Sequence, residues 1–192
     1  MNRPRLIVVT DRAQATGDLT VTLARAIDHG ARAILLRDRD LPAPHRQALA
    51  DHVRPLLATV DGWLIVADPA PSDHRDAVHL AAAQPMPDPR PALVGRSCHS
   101  RAEVDRAVAE RCDYVLVSPS YPTASKPGYG PALGPLGLTA LVRAGQPAYA
   151  LGGVSPETVA DCRAAGAYGV AVMGPIMRDP SLIAAYLKEL GA

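Results

Sequence analysis

Phenylalanine is absent from these 192 residues, and aromatic side chains make up 4% of them. A core with so few rings must be packed with Leu, Val, Ile and Ala, a branched filling that suits a barrel interior. Cysteine is scarce as well. Cys98, Cys112 and Cys162 are an odd set without paired motif spacing, which argues against a disulfide framework and against a zinc site. Neither sign of charge is in excess. At a net charge of +1 the chain has no electrostatic footprint for nucleic acid or an acidic membrane surface. Long apolar runs are also missing, since Ile7-Val8-Val9 is too short for a signal segment or a membrane span. These absences predict a soluble cytoplasmic protein with no nucleic-acid or membrane partner; a homodimer is compatible with them.

What is present is a regular alternation. Leu6–Thr10, Ala33–Arg37, Trp63–Ala67, Ala77–Leu80, Ala92–Gly95, Asp113–Val117, Ala148–Leu151 and Gly169–Met173 read as strands. Most are continuous apolar runs, as expected for parallel strands covered on both faces. Helix signals lie between them. Asp18 caps a run carrying Leu19, Leu23 and Ile27 on one face and stopping at Gly30. Ser100-Arg101-Ala102-Glu103 has the capping-box pattern. Ser155-Pro156 and Asp179-Pro180 each set a cap residue before a proline at the first helical position. Pro55 predicts a kinked or late-starting second helix. The proline-rich stretch from Ala81 to Pro91 predicts a short or missing fourth helix. The expectation is one domain over 1–192, a parallel eight-stranded (β/α)8 TIM barrel. An open doubly wound sheet is the structural competitor, weakened by the lack of a Gly-x-Gly-x-x-Gly run after an early strand.

In such a barrel, chemistry gathers where strands end and βα loops begin. Gly152-Gly153 ends the seventh strand and Gly174-Pro175 the eighth, and glycine lets backbone amides approach an anion closely. Those positions predict a phosphate site, with tight βα turns as the plainer reading. Thr123-Ala124-Ser125-Lys126 offers hydroxyls and an ammonium for a second anion. Arg37 and Arg39 alternate at a strand end, so each either reaches an anion or pairs with Asp38 or Asp40. Asp68 either ligates Mg2+ or caps a turn. His79 reads as a hydrogen-bonded core histidine. Cys98 reads as a small buried hydrophobe, not as a nucleophile.

In order and spacing the motifs resemble the thiamin phosphate synthase and TenI (thiazole tautomerase) superfamily over nearly the whole chain. The pieces are Val8-Val9-Thr10-Asp11-Arg12, Leu36-Arg37-Asp38-Arg39-Asp40, Val78-His79-Leu80, Gly95-Arg96-Ser97-Cys98-His99, Asp113-Tyr114-Val115, Pro122-Thr123-Ala124-Ser125-Lys126-Pro127, Ala150-Leu151-Gly152-Gly153-Val154 and Gly169-Val170-Ala171-Val172-Met173. The resemblance implies an enzyme joining a thiazole phosphate to a pyrimidine methyl pyrophosphate, with release of pyrophosphate. It implies Arg37 and Lys126 as catalytic cations and Arg39, Ser97, Thr123 and Ser125 as substrate-binding residues. Gly152, Gly153 and Gly174 would then hold the thiazole phosphate, and Asp68 would hold Mg2+.

The chain also departs from the synthase pattern. Leu35-Leu36-Arg37-Asp38-Arg39 stands where the family has Gln-Leu-Arg-Glu-Lys, and Ala67-Asp68 where it has Asn-Asp. Ala81-Ala82-Ala83-Gln84 replaces a Gly-Gln pair and a following aspartate, a position Asp88 would fill only with a rearranged loop. The tautomerase branch needs no metal pair, but its histidine base aligns with Pro119, so His79 or His99 would have to move the proton. A thiazole tautomerase and a non-catalytic barrel binding thiazole or thiamin phosphate are therefore the alternative readings.

Overall fold

The computed structural model describes residues 3–67, 77–123 and 131–192. Its strands are β1 (Leu6–Val9), β2 (Ala33–Leu36), β3 (Trp63–Ala67), β4 (Ala77–Leu80), β5 (Val94–Cys98), β6 (Tyr114–Val117), β7 (Ala148–Leu151) and β8 (Gly169–Val172). They form a closed parallel barrel in chain order. β1 pairs with β2 on one side and with β8 on the other, with Leu6 opposite Val170 and Val8 opposite Val172. That pairing eliminates the open sheet. Successive side chains of a strand face opposite ways, so each strand feeds two cores. Leu6, Val8, Ile34, Leu36, Val115 and Val170 pack outward. Ile7, Val9, Leu35, Ile65, Tyr114, Leu116 and Tyr149 fill the lumen.

The outer ring comprises α1 (Leu19–Asp28), α2 (Ala43–Ala58), α3 (Arg101–Ala109), α4 (Gly134–Leu141), α5 (Val159–Ala164), α6 (Gly174–Arg178) and α7 (Ile183–Leu190). The Asp18 carboxylate accepts the Thr20 and Val21 amides at 2.8 and 3.2 Å, and so caps α1 as predicted. Ser155-Pro156 and Asp179-Pro180 open short 3-10 turns that lead into α5 and α7. Helix α2 does not begin late. It starts at Ala43 and runs through Pro55, which lies in its last turn. At α3 only half of the capping box forms. Ser100 Oγ accepts the Glu103 amide at 3.3 Å, while the Glu103 carboxylate turns to the His99 amide at 2.5 Å.

The fifth strand starts two residues later and ends three residues later than the apolar run Ala92–Gly95 suggests, because a buried arginine is part of it. Arg96 is fully buried, and its guanidinium donates to the carbonyls of Ala81, Ala82 and Gln84 at 3.0, 3.0 and 2.6 Å. It also pairs with Glu110. No helix forms between β4 and β5. The carbonyls that a helix would satisfy internally are taken by Arg96 instead, helped by Arg106 at Ala82 and Gln84. This anchor explains how the fourth helix can be missing.

Candidate active site

The carboxyl ends of the strands form a mouth whose floor is mostly apolar. Val9, Leu35, Ala67, Leu116, Leu151 and Met173 belong to the lumen cluster. Two of the departures from the synthase pattern, Leu35 and Ala67, therefore remove polarity from this floor. Its polar exceptions on the strands are His79 and Ser97.

The ends of β1 and β2 are tied together by a buried carboxylate. Asp38 accepts from Thr10 Oγ1 at 2.5 Å and from the Arg12 amide at 2.7 Å, and Thr10 Oγ1 accepts the Arg37 amide at 2.9 Å. Asp40 forms an ion pair with Arg12. Both nearby acids are thus engaged elsewhere, and Arg37 is left exposed with its guanidinium 3.9 Å from Met173 Sδ, just past β8. Arg39 is exposed as well.

Beyond β6 the loop folds back onto the end of β7. The Ser120 amide donates to the Leu151 carbonyl at 2.8 Å and the Tyr121 amide to the Gly152 carbonyl at 2.9 Å. Gly153 adopts φ 65°, and a Cβ there would lie 2.3 Å from the Pro122 carbonyl oxygen. Only glycine meets both demands. Thr123 follows Pro122 directly, so the β6 loop and the glycine pair share one corner of the mouth. At the adjacent end of β8, Gly174 opens α6, and a Cβ on it would meet Gln14 Oε1 at 2.3 Å. Close packing against backbone accounts for Gly153, whereas the atoms facing Gly174 are the movable ends of the Gln14 and Arg178 side chains.

On the other side of the mouth His79 is buried between two hydroxyls. Its Nε2 lies 2.9 Å from Ser97 Oγ and its Nδ1 lies 3.1 Å from the Tyr114 hydroxyl. Burial, followed by the charges of Arg39 and Arg96, lowers the imidazole pKa from 6.5 to about 3. The ring is neutral at physiological pH, as suits the core histidine read from the sequence. The Tyr114 ring stacks on His79 and meets Tyr149 edge-on. Cys98 faces outward into the helix layer, and burial pushes its thiol up to about 12. It is no nucleophile.

The mouth therefore collects Arg37, Thr123, Gly152, Gly153 and Gly174 on one side and Ser97 on the other. Asp68, Ser125 and Lys126 lie outside the described residues. Two contributors were not singled out from the sequence: Tyr114 and Gln14. Gln14 donates to Asp11, three residues away, at 2.7 Å and accepts from Arg178 at 3.0 Å. Tyr114 stands beside Asp113 in a strand motif, but its hydroxyl partner is 35 residues away. Among the described residues, no group of three or more His, Cys, Asp or Glu side chains converges on a metal position. Gln84 turns back to accept the Ala81 amide at 3.1 Å. The described residues do not by themselves form a magnesium cage.

The thiamine monophosphate synthase family profile matches residues 6–176. The chain belongs to that family. A thiamine-phosphate synthase of Methanoculleus marisnigri is 37% identical over 94% of this chain and 90% of its own length. One from Methanospirillum hungatei is 33% identical over 95% and 94%. A thiamine phosphate pyrophosphorylase from Pyrococcus furiosus superposes with a TM-score of 0.82 over 97% of this chain and 95% of that one. At 23% identity that last likeness bears on the fold. Family membership spans the whole barrel up to α6, so the mouth corners at β2, β6, β7 and β8 all lie within the matched region.

Proposed function

We propose that the protein is a thiamin phosphate synthase, with 1–192 working as one barrel domain. The thiazole nitrogen of a thiazole phosphate attacks the methylene carbon of hydroxymethylpyrimidine pyrophosphate. The C–N bond forms as the C–O bond to pyrophosphate breaks, and pyrophosphate leaves. Such a reaction needs positive charge around the leaving group and two aligned substrates, with little call for a protein base. Arg37 and Lys126 stabilise the departing pyrophosphate, with Thr123, Ser125 and Arg39 binding its oxygens. Gly152, Gly153 and Gly174 present amides to the thiazole phosphate, and Ser97 contacts the pyrimidine substrate.

The observation that carries this reading is the chemical character of the mouth. It holds an exposed arginine and a glycine corner, while the histidine nearest the floor is held neutral and far from a useful pKa. That character favours transfer over tautomerisation. His79, held neutral by burial, is a poor base for the proton transfer a tautomerase needs. Magnesium, which the family resemblance implies, would enter with the pyrophosphate, and Asp68 is the carboxylate the sequence offers for it.

The test is direct. Purified protein is mixed with both substrates and Mg2+, and thiamin phosphate and pyrophosphate are quantified. The expected outcome is equal amounts of each. Failure to form product, under conditions where a known synthase turns over, would overturn the reading. Accelerated isomerisation of carboxythiazole phosphate, followed by proton NMR, would replace it with the tautomerase.

A further inference from the structure

We infer that Tyr114 and His79 are positioning residues that set the Ser97 hydroxyl as a hydrogen-bond donor to an acceptor nitrogen of a flat heteroaromatic substrate. The identity of that substrate rests on the synthase reading; the direction of the hydrogen bonds rests on the geometry alone.

Tyr114 is fully buried, and among the described residues its hydroxyl meets one acceptor, His79 Nδ1 at 3.1 Å. A buried phenol O–H is rarely left without an acceptor. Tyr114 therefore donates to Nδ1, which must carry a lone pair. A neutral imidazole holds one ring proton, so that proton sits on Nε2. Nε2–H then donates to Ser97 Oγ at 2.9 Å. With its oxygen accepting from below, Ser97 has its own proton available to point into the mouth. The opposite arrangement puts the proton on Nδ1, strands the Tyr114 hydrogen and turns the Ser97 proton inward.

The surroundings make this donor selective. Ser97 is half-buried at the lumen face of β5, and the neighbouring floor is lined by Leu35, Ala67 and Leu116. A flat ring suits such a floor. A site that hydrogen-bonds one atom in apolar surroundings rejects analogues lacking that acceptor, because its own polar group is then left unpaired. Ser97 also lies away from the β7–β8 glycine corner, so it addresses the pyrimidine partner and not the thiazole phosphate. Gly95 belongs to the same device. It lies opposite Tyr114 in the β5–β6 register, and its missing side chain is the space the phenol ring occupies.

The test begins with nitrogen-15 NMR of histidine-labelled protein at neutral pH. The expected signal for His79 is an unprotonated Nδ1 and a protonated Nε2; a protonated Nδ1 overturns the inference. Tyr114→Phe keeps the ring and removes the donor. It should leave His79 as a mixture of tautomers and raise KM for the pyrimidine pyrophosphate about three- to tenfold, the effect of one net hydrogen bond. KM for thiazole phosphate should not change. Ser97→Ala should raise the same KM without altering the tautomer. If Tyr114→Phe changes neither tautomer nor KM, the inference fails and the Tyr114–His79 contact is packing alone. If the wild type makes no thiamin phosphate, the synthase reading fails, and the nitrogen spectrum still decides the direction of the hydrogen bonds.

Discussion

Gly95 and Tyr114 face one another across the β5–β6 pair, and a methyl group on Gly95 would lie 2.0 Å from Cζ of the tyrosine ring. The ring fills the space that any side chain at position 95 would need. The lumen has little slack to absorb a shift, because protein interiors are packed to crystal-like density.

Gly95→Ala should therefore destabilise the barrel by about 1–3 kcal/mol, the usual cost of overpacking a core. Urea denaturation followed by circular dichroism measures this. A variant as stable as the parent would mean that Tyr114 moves aside freely.

Arg96 is the clearest single anchor outside the mouth. Arg96→Met should cost about 3–5 kcal/mol, since it strips the buried guanidinium from three loop carbonyls and Glu110, leaving Ala82, Gln84 and Glu110 to Arg106. Thermal melting should show the loss, and hydrogen exchange should locate the loosened segment at residues 81–93. Wild-type protection in that loop would show that Arg106 suffices on its own.

The depressed pKa of His79 has a consequence for stability. Unfolded, the imidazole takes up a proton near 6.5; folded, it resists until about 3. Below 6.5 the unfolded state thus binds more protons, and stability falls with pH at a limiting slope of about 1.4 kcal/mol per unit. Above 6.5 the penalty is absent. His79→Gln removes this proton linkage, so the stability gap between variant and parent should shift in favour of the variant as pH drops. A gap that stays constant across that range would contradict the burial of a neutral ring.

At Gly153 the predicted effect is on function. Gly153→Ala forces a Cβ against the Pro122 carbonyl and displaces the loop that carries Thr123. A displacement of about 1 Å at a positioning element can cost about a hundredfold in rate. Steady-state kinetics should show kcat/KM lowered by at least about tenfold, with the fold retained by circular dichroism.

Lys126→Ala and Asp68→Ala separate the two chemistries. Each should reduce synthase turnover by at least about a hundredfold, as expected when a charge that stabilises the leaving group, or holds its metal, is removed. A thiazole tautomerase would tolerate both changes. Restoration of Asp68→Ala activity by excess Mg2+ would mark that residue as a metal ligand.

Much of the fold was legible because each relevant signal is local. The apolar runs at β3 and β7 give their bounds directly, since a strand covered on both faces is largely apolar, and β4 is bounded correctly despite His79. Asp18 announces α1 because a cap acts within its own turn. β5 was misplaced for the converse reason: Arg96 and Ser97 look like a loop until their partners are known. The glycine corner was legible as backbone chemistry. The roles of Asp38 and Asp40 were not, since their partners Thr10 and Arg12 come from another strand end.

By itself the sequence determined the alternation of strands and helices, the missing fourth helix, and a set of charged and glycine residues at strand ends. Residue type and spacing along the chain suffice for those features. Only the tertiary structure decided that the barrel closes through β1 and β8, that Arg96 replaces a helix, and that His79 joins Ser97 to Tyr114. Each of these depends on groups brought together from separate strands, where burial and the need to satisfy every polar atom choose the partner.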